Sequence, residues 1–545
     1  MSQCTECKNQ FEIETHENQL AQKLRLPARS LCLTCLRRER LAFWTFGNFH
    51  VRTCDLSGET IVSVYPKDAR FPVYKRSHWF SDAWEPPRMQ YDKTRSFFEQ
   101  LVELQSKTPH PHMVGDAKTM NCDYSDDAWS CKNCYLSRSM VDCENLHYSY
   151  RNLGVKDSID VTFCFGLEQC YWCTYCFNSY NLHYAVNSRY CIDSYFLFDC
   201  RNCSDCFMSW NLRNKKYCFL NKQYSKEEYE AKVNSIDLSS YATIQKLQKE
   251  FEAHVMNDVT HPVDWNAETE DCVGNYLEKC HACTMGFGLS ESENCFDATR
   301  GLAMKDCMYA SGVGNGELCT NTILGLNCYN VHNAFYSADC SDCEYLDQCY
   351  QCENCFGCVG LRKKQYCILN TEYSKEEYER LKGEIIERMK QSGEYGRLPR
   401  AMTYTGYNVS LATFYWQLSR EDAQRAGYMW EDEAHGHPDG KSTALLPDKL
   451  IDAPVDSVKQ VLLCCETNRP FKMIPQEMEF YKKHNTPLPR LYPDHRNRLR
   501  FKYLLAVDPR EIVCTMCGKT VMTYYPESWG YKKIACRECY VQTVG

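Results

Sequence analysis

The sequence predicts a mixed α+β chain in which two cysteine-rich β-solenoid arrays with twelve-residue coils, each closed by a helical cap, lie between zinc-finger modules at the two ends. Three observations predict it. All thirteen cysteines between Cys122 and Cys218 fall on one three-residue grid. A second array ends almost as the first does, with LRKKQYCILNTEYSKEEYE from Leu361 against LRNKKYCFLNKQYSKEEYE from Leu212. Paired C-x2-C knuckles stand near both ends.

Residues 1–90 form the first zinc module. Cys4, Cys7, Cys32 and Cys35 are spaced C-x2-C-x24-C-x2-C, and four thiolates complete a tetrahedral Zn²⁺ with no position left for water, so the site is structural rather than catalytic. From Cys54 the phrase CDLSGETIVSVYP matches CTMCGKTVMTYYP from Cys514. The module therefore holds a second, degenerate finger, with Ser57 in the place of Cys517, and Trp79 and Asp82 in the places of Cys536 and Cys539.

Residues 91–117 are a helical linker, with a helix over Thr94–Gln105. The first array occupies 118–229. Set in rows of twelve from Cys122, every third column holds Cys, Ser, Ala, Leu or Val, while aromatic, amide and charged residues fill the columns between. A fixed period of this kind marks stacked coils, and a coil this narrow admits only small apolar side chains inside, a place suited to cysteine. At about 4.8 Å per coil, nine rows make a rod of roughly 43 Å.

A helical bridge follows over 230–270, with one helix over Tyr241–His254. The second array covers 271–378, where thirteen of fourteen cysteines share one grid and Cys272 is the exception. Ser225-Lys-Glu-Glu228 and Ser374-Lys-Glu-Glu377 have capping-box spacing, so a helix covers the last coil of each array. Residues 379–460 are a helical and irregular linker with a short helix after Ser419.

The second zinc module occupies 461–545. Cys514, Cys517, Cys536 and Cys539 are spaced C-x2-C-x18-C-x2-C, for about two Zn²⁺ per chain in all. Its first finger is degenerate, with Cys465, Asn468, Tyr492 and His495 in the ligand places. Cys465 and His495 remain as a weak metal pair.

CETNRPFKMIPQEMEFYKKHNTPLPRLYPDHR, CTMCGKTVMTYYPESWGYKKIACRECY and CDLSGETIVSVYPKDARFPVYKRSHWFSDAW resemble segments of a family of large cysteine-rich proteins of candidate-phyla bacteria that carry treble-clef zinc fingers. The resemblance extends over most of the chain and implies a treble-clef fold for the ends, without implying an activity. The coil geometry alone resembles the twelve-residue-coil β-helices of beetle antifreeze proteins. Ice binding does not follow, because the matching outer columns hold Tyr148, Trp172, Tyr184, Tyr195, Phe196 and Phe207 rather than paired threonines.

No apolar run reaches the length of a membrane span and the N-terminal segment lacks signal-peptide regions, which points to a cytoplasmic protein without a membrane partner. In that compartment the 38 cysteines read as thiols and zinc ligands rather than a disulfide framework. Formal net charge is −8, yet basic residues cluster in both modules. Arg29, Arg37, Arg38 and Arg40 at one end, and Arg490, Arg496, Arg498 and Arg500 at the other, are the candidates for phosphate contacts, and the outer aromatics are candidates for base stacking. The favoured reading is a non-enzymatic zinc-binding scaffold for RNA or a ribonucleoprotein. The alternative is an assembly scaffold with protein partners or self-association. A third reading uses Cys170, Cys173 and Cys176, or Cys349, Cys352, Cys355 and Cys358, as a soft-metal or redox store. No P-loop, nucleophile–base pair or small-molecule site is evident. GVGNG from Gly312 lies inside the second array, and His110, His112, His435 and His437 read as loop residues.

Overall fold

The computed structural model describes residues 1–297, 308–312, 323, 325–326, 334–432, 436–453 and 459–545. The fold is mixed α and β and divides into two compact units, Met1–Met113 with Asp264–Glu431, and Val114–Val263 with Asp432–Gly545. The partnership is crossed. The N-terminal module belongs with the second array, and the C-terminal module with the first.

In unit 2 the array is a set of short parallel strands whose partners are twelve residues apart, as in Ser125↔Ser137, Tyr150↔Thr162, Ile159↔Tyr171, Tyr195↔Phe207 and Cys206↔Cys218. The backbone explains the period. Every third residue takes a left-handed conformation, and from Asn178 through Asn181, Tyr184, Asn187, Tyr190, Asp193 and Phe196 to Asp199 φ runs between 44° and 57°. Asn and Asp tolerate this region best among residues with a Cβ, which accounts for their frequency here. Four such corners bring twelve residues back to the starting side, one strand spacing further on. Strands that continue round a corner pair with neighbours on more than one side, and the five strands from Tyr150–Leu153 to Phe177–His183 close on themselves as a parallel barrel.

The residue after each corner points inward. Cys131, Cys143, Cys164, Cys170, Cys173, Cys176 and Cys203 are buried together with Val155, Leu167 and Leu182. Their thiols act as weak donors to the backbone, for example Cys173 Sγ to Leu182 O at 3.3 Å and Cys164 Sγ to Thr162 O at 3.4 Å. Outer columns form ladders. Asn121, Asn133, Asn145 and Asp157 are linked Nδ2 to Oδ1 at 3.0, 3.1 and 2.7 Å, and Tyr184 stacks on Phe196 at 4.7 Å. After Leu220 and Asn221 the chain reverses, and Lys222–Gln223 pairs antiparallel with the last turn, which blunts the sheet edge. The cap helix Lys226–Asn234 then starts from a full capping box at Ser225 and Glu228. The bridge helix runs over Tyr241–Asn257, one turn further than predicted.

Unit 1 repeats the plan. Glu353↔Gln365 and Cys355↔Cys367 keep the twelve-residue register, and the helix Lys375–Ser392 begins at the Ser374/Glu377 capping box. Cys272 is explained by a turn of eleven residues. Glu270 pairs with His281 and Val273 with Thr284, the register slips at Val273/Gly274, and Gly274 then meets Gly286. Cys272 thus sits under Cys283, whose N–H approaches its sulfur at 3.5 Å. The linker helix is Phe97–Lys107 with Ser96 as its cap. It lies so close to the array that a Cβ at Gly357, φ +62°, would stand 2.3 Å from Phe97. The array segment from 313 to 322, with most of GVGNG, and His435 lie outside the described residues.

Candidate metal centres and the fate of the basic clusters

Two groups of four cysteines converge, Cys4 with Cys7, Cys32 and Cys35, and Cys514 with Cys517, Cys536 and Cys539, and in each all sulfurs lie within 4.8 Å of one another. Cys7 and Cys32 are 3.6 Å apart and Cys517 and Cys536 are 3.8 Å apart. A tetrahedral site with metal–sulfur bonds of about 2.3 Å has sulfur–sulfur edges of roughly 3.8 Å, so both groups fit a metal ion without rearrangement. In each site a tight hairpin supplies the first pair and the first turn of a helix the second, Leu33–Ala42 in one and Arg537–Val544 in the other. Burial opposes ionisation of Cys4, but N–H groups of Cys32, Cys7 and Glu6 outweigh it and bring the thiol down to about 6. Cys514 behaves alike, with N–H groups of Cys536, Cys517 and Met516. A thiolate of this kind can serve as a metal ligand.

The degenerate fingers differ from the expected alignment. Lys75 N–H approaches Cys54 Sγ at 3.2 Å, as Cys536 N–H approaches Cys514 Sγ at 3.2 Å. Lys75 and His78, not Trp79 and Asp82, therefore occupy the places of Cys536 and Cys539. Trp79 is buried core. Lys75 and His78 converge on Glu59, His78 Nε2 lying 3.0 Å from its carboxylate, so an ion-pair cluster stands where the other finger gathers thiols. At the C-terminal module, Asn468 N–H bonds Cys464 O as Lys8 N–H bonds Cys4 O. Cys464, Thr467, Tyr492 and His495 are thus the ligand places, and Cys465 is displaced by one residue and exposed. His495 is paired with Glu466 at 3.1 Å. Neither Cys465 nor His495 belongs to a convergent metal-ligand group among the described residues.

Seven of the eight arginines expected to face phosphates are engaged within the protein instead. Arg37 and Arg40 are buried against the second array, where both bond Asp297 at 2.5 and 3.1 Å. Arg496 and Arg500 are buried against the first array, where both bond Asp160, Arg500 at 2.7 Å. The two units thus share one device, a corner aspartate taking two arginines from the module helix. A glutamate on the preceding helix adds to it, Glu17 bonding the Tyr309 hydroxyl in unit 1 and Glu477 the Tyr148 hydroxyl in unit 2. Arg29 is spent on Glu17 at 2.5 Å and Arg38 on Glu6 at 2.5 Å. Arg490 bonds the carbonyl of Leu446 at 3.0 Å and lies 4.1 Å over the ring of Tyr241. Arg498 is half-buried on the same helix as Arg496. The aromatic columns are covered too. Tyr148, Tyr184, Phe196 and Phe207 are buried, Phe196 under Phe251 of the bridge helix at 5.8 Å.

His110 is not a loop residue, whereas His112 lies in the bend that follows its strand. His110 is buried on a strand paired with Val73–Tyr74, its Nε2 3.0 Å from Asp347, and His112 Nδ1 accepts the N–H of Arg76 at 3.0 Å. His437 is exposed. Among the described residues the array thiols form no convergent group of three; they line four different sides of each turn. One group escaped the sequence reading. Glu270, Asp271 and His281 lie together and exposed on the second array, a neighbourhood legible only once the eleven-residue turn is known. Among the described residues no helix is long and apolar enough to cross a membrane. No protein-family model matches the chain, and no curated protein matches it.

Proposed function

We propose that the protein is a non-enzymatic, zinc-binding assembly scaffold: two β-solenoids, each held by a terminal module of treble-clef type as in the family named above, presenting flat sides to protein partners. In this reading the two tetra-cysteine groups hold Zn²⁺, the metal that four thiolates at these spacings favour. The observation that carries the reading is the division of the first array into covered and open sides. The covered sides hold the arginines and most of the aromatic ladder. The open sides carry Val141, Leu153, Tyr180, Tyr190 and Ile192, between 37% and 56% exposed, beside the paired Lys132 and Glu144 at 3.2 Å. Apolar residues among balanced charges suit a protein partner better than a polyanion.

The test is the mass and absorbance of the full chain purified from its native cells, in 50 mM and 200 mM salt. The expected result is a protein-like absorbance ratio and a complex heavier than the 63.7 kDa chain at both salt concentrations, dispersed by Tyr190→Glu with Ile192→Glu. RNA that co-purifies, is nuclease-sensitive and leaves as salt rises would instead favour the ribonucleoprotein reading.

A further inference from the structure

Unit 2 contains a slot of about 40 Å³ between its array and the first finger of its module, lined by Tyr171, Trp172 and Tyr184 of the array, Tyr241 of the bridge helix, and Arg490 and Arg496. Arg496 is 1% exposed. Its Nη1 is engaged by Asp160 and by the Tyr481 hydroxyl at 3.4 Å, but its Nε and Nη2 have no hydrogen-bond partner, nor has the buried Nε of Arg490. Buried charged donors without acceptors are destabilising, and the slot, which both arginines line, is the space beside them in which an acceptor would fit, one face of Arg496 being taken by the Tyr148 ring at 4.5 Å.

Charge decides between water and an anion. Arg490, Arg496 and Arg500 bring three positive charges, and Asp160 is the carboxylate bonded among them. Glu477 is near Arg496, but burial pushes its carboxyl up to about 8, against the pull of Arg496, so it is mostly neutral at pH 7. Asp448 acts on Arg490 only through space, and its Oδ1 accepts the N–H of Ala242 at 2.8 Å. Water would satisfy the donors and leave the charge, whereas an oxyanion satisfies both, and guanidinium forks suit it. A water needs about 10–15 Å³ of such space, so the slot takes roughly three to four atoms of that size, the three of a carboxylate group or the leading oxygens of a phosphate.

We propose that this slot is a binding site for a small oxyanion, a carboxylate or phosphate group, held by Arg490 and Arg496 against the aromatic wall. The site is independent of the scaffold reading. Isothermal titration of the full chain with sodium phosphate and with sodium acetate, against ionic-strength-matched sodium chloride, tests it. Saturable one-to-one binding of either anion is expected, phosphate alone marking a phosphate group and acetate alone a carboxylate. Arg490→Gln should weaken it about tenfold or more, and replacing Ile244, a bridge-helix residue that also lines the slot, by phenylalanine (Ile244→Phe), which fills the slot and keeps both arginines, should abolish it. Thermal midpoints without anion report whether each variant folds, and should Ile244→Phe not fold, Arg490→Gln decides. Neither anion binding more than chloride, or binding unchanged in Arg490→Gln, overturns the proposal and leaves the slot to water.

Discussion

Replacing Asp160 by asparagine preserves the shape of the residue and removes the charge that two buried guanidiniums share. Unit charges about 4 Å apart attract by about 4 kcal/mol at an effective dielectric of 20. Asp160 has two such partners, Arg496 and Arg500, on side chains no more than 1% exposed, and their mutual repulsion offsets part of the gain. Removing one partner of a buried pair costs about 3–5 kcal/mol, because the remaining charge stays buried without compensation. Asp160→Asn should therefore destabilise unit 2 by that amount, or about two to three and a half decades in hydrogen-exchange protection at 1.4 kcal/mol per decade. Exchange read peptide by peptide suits a chain of two units, for which one unfolding free energy is not defined. Peptides over Pro493–Phe501 and the adjoining array strands should lose protection while those of unit 1 do not. Replacing Asp160, Arg496 and Arg500 together by leucine should recover much of the loss, as buried ion clusters elsewhere tolerate apolar replacement. A loss below 1 kcal/mol in Asp160→Asn, or an equal loss in unit 1, would refute the reasoning.

Elemental analysis of the full chain should give about two metal ions, falling by about one in Cys536→Ser and unchanged in Cys465→Ala, whose sulfur lies outside the ligand places. The stability of unit 2 should peak near pH 6.5. Glu477, with its folded value raised to about 8, and Asp126, raised to about 7, both by burial, hold protons that the unfolded chain has released, so stability falls as pH rises from about 4 to 8. Four histidines of unit 2, His147 and His484 lowered to about 4 and His183 and His261 lowered to about 3, again by burial, stay neutral while the unfolded chain takes up protons below about 6.5, so below that pH they outweigh the two carboxyls and stability falls toward acid. Thermal midpoints against pH check both limbs, and Glu477→Gln should flatten the alkaline one. A thiol reagent applied to the native chain should reach the exposed Cys465 first, the exposed Cys7 and Cys517 more slowly while they hold metal, and the full 38 only after unfolding. Rapid labelling of most thiols without denaturant would contradict the buried interior.

The array period was legible because an inward position every third residue forces a composition that survives substitution: small and apolar at Cys131, Val155 or Leu182. The exception at Cys272 was visible as an irregularity but not as a shortened turn, since a one-residue deletion leaves no local mark. The finger alignments slipped for a similar reason. The tandem Cys464–Cys465 offers two registers, and only the N–H that bonds Cys464 O selects between them. Lys75 and His78 carry no resemblance to the thiols whose places they take. The arginines were misread because burial is a property of the partner as well as of the residue. Asp160 and Asp297 look like ordinary surface corners, and no sequence pattern says that a helix more than two hundred residues away will cover them.

The alternation of the two units along the chain has a consequence for biosynthesis. Residues 1–113 must wait for the segment beginning at Asp264, and residues 114–263 for the segment beginning at Asp432, so neither unit can be completed before most of the polypeptide has left the ribosome. At 5–20 residues per second the first module waits roughly 8–30 s for its array to begin emerging. During that interval Arg37 and Arg40 have no aspartate, and the first array displays the very sides its own module will later cover. A stop codon near the middle of the gene would therefore yield not one finished half but two unfinished ones, and the cell would read such a product as damaged.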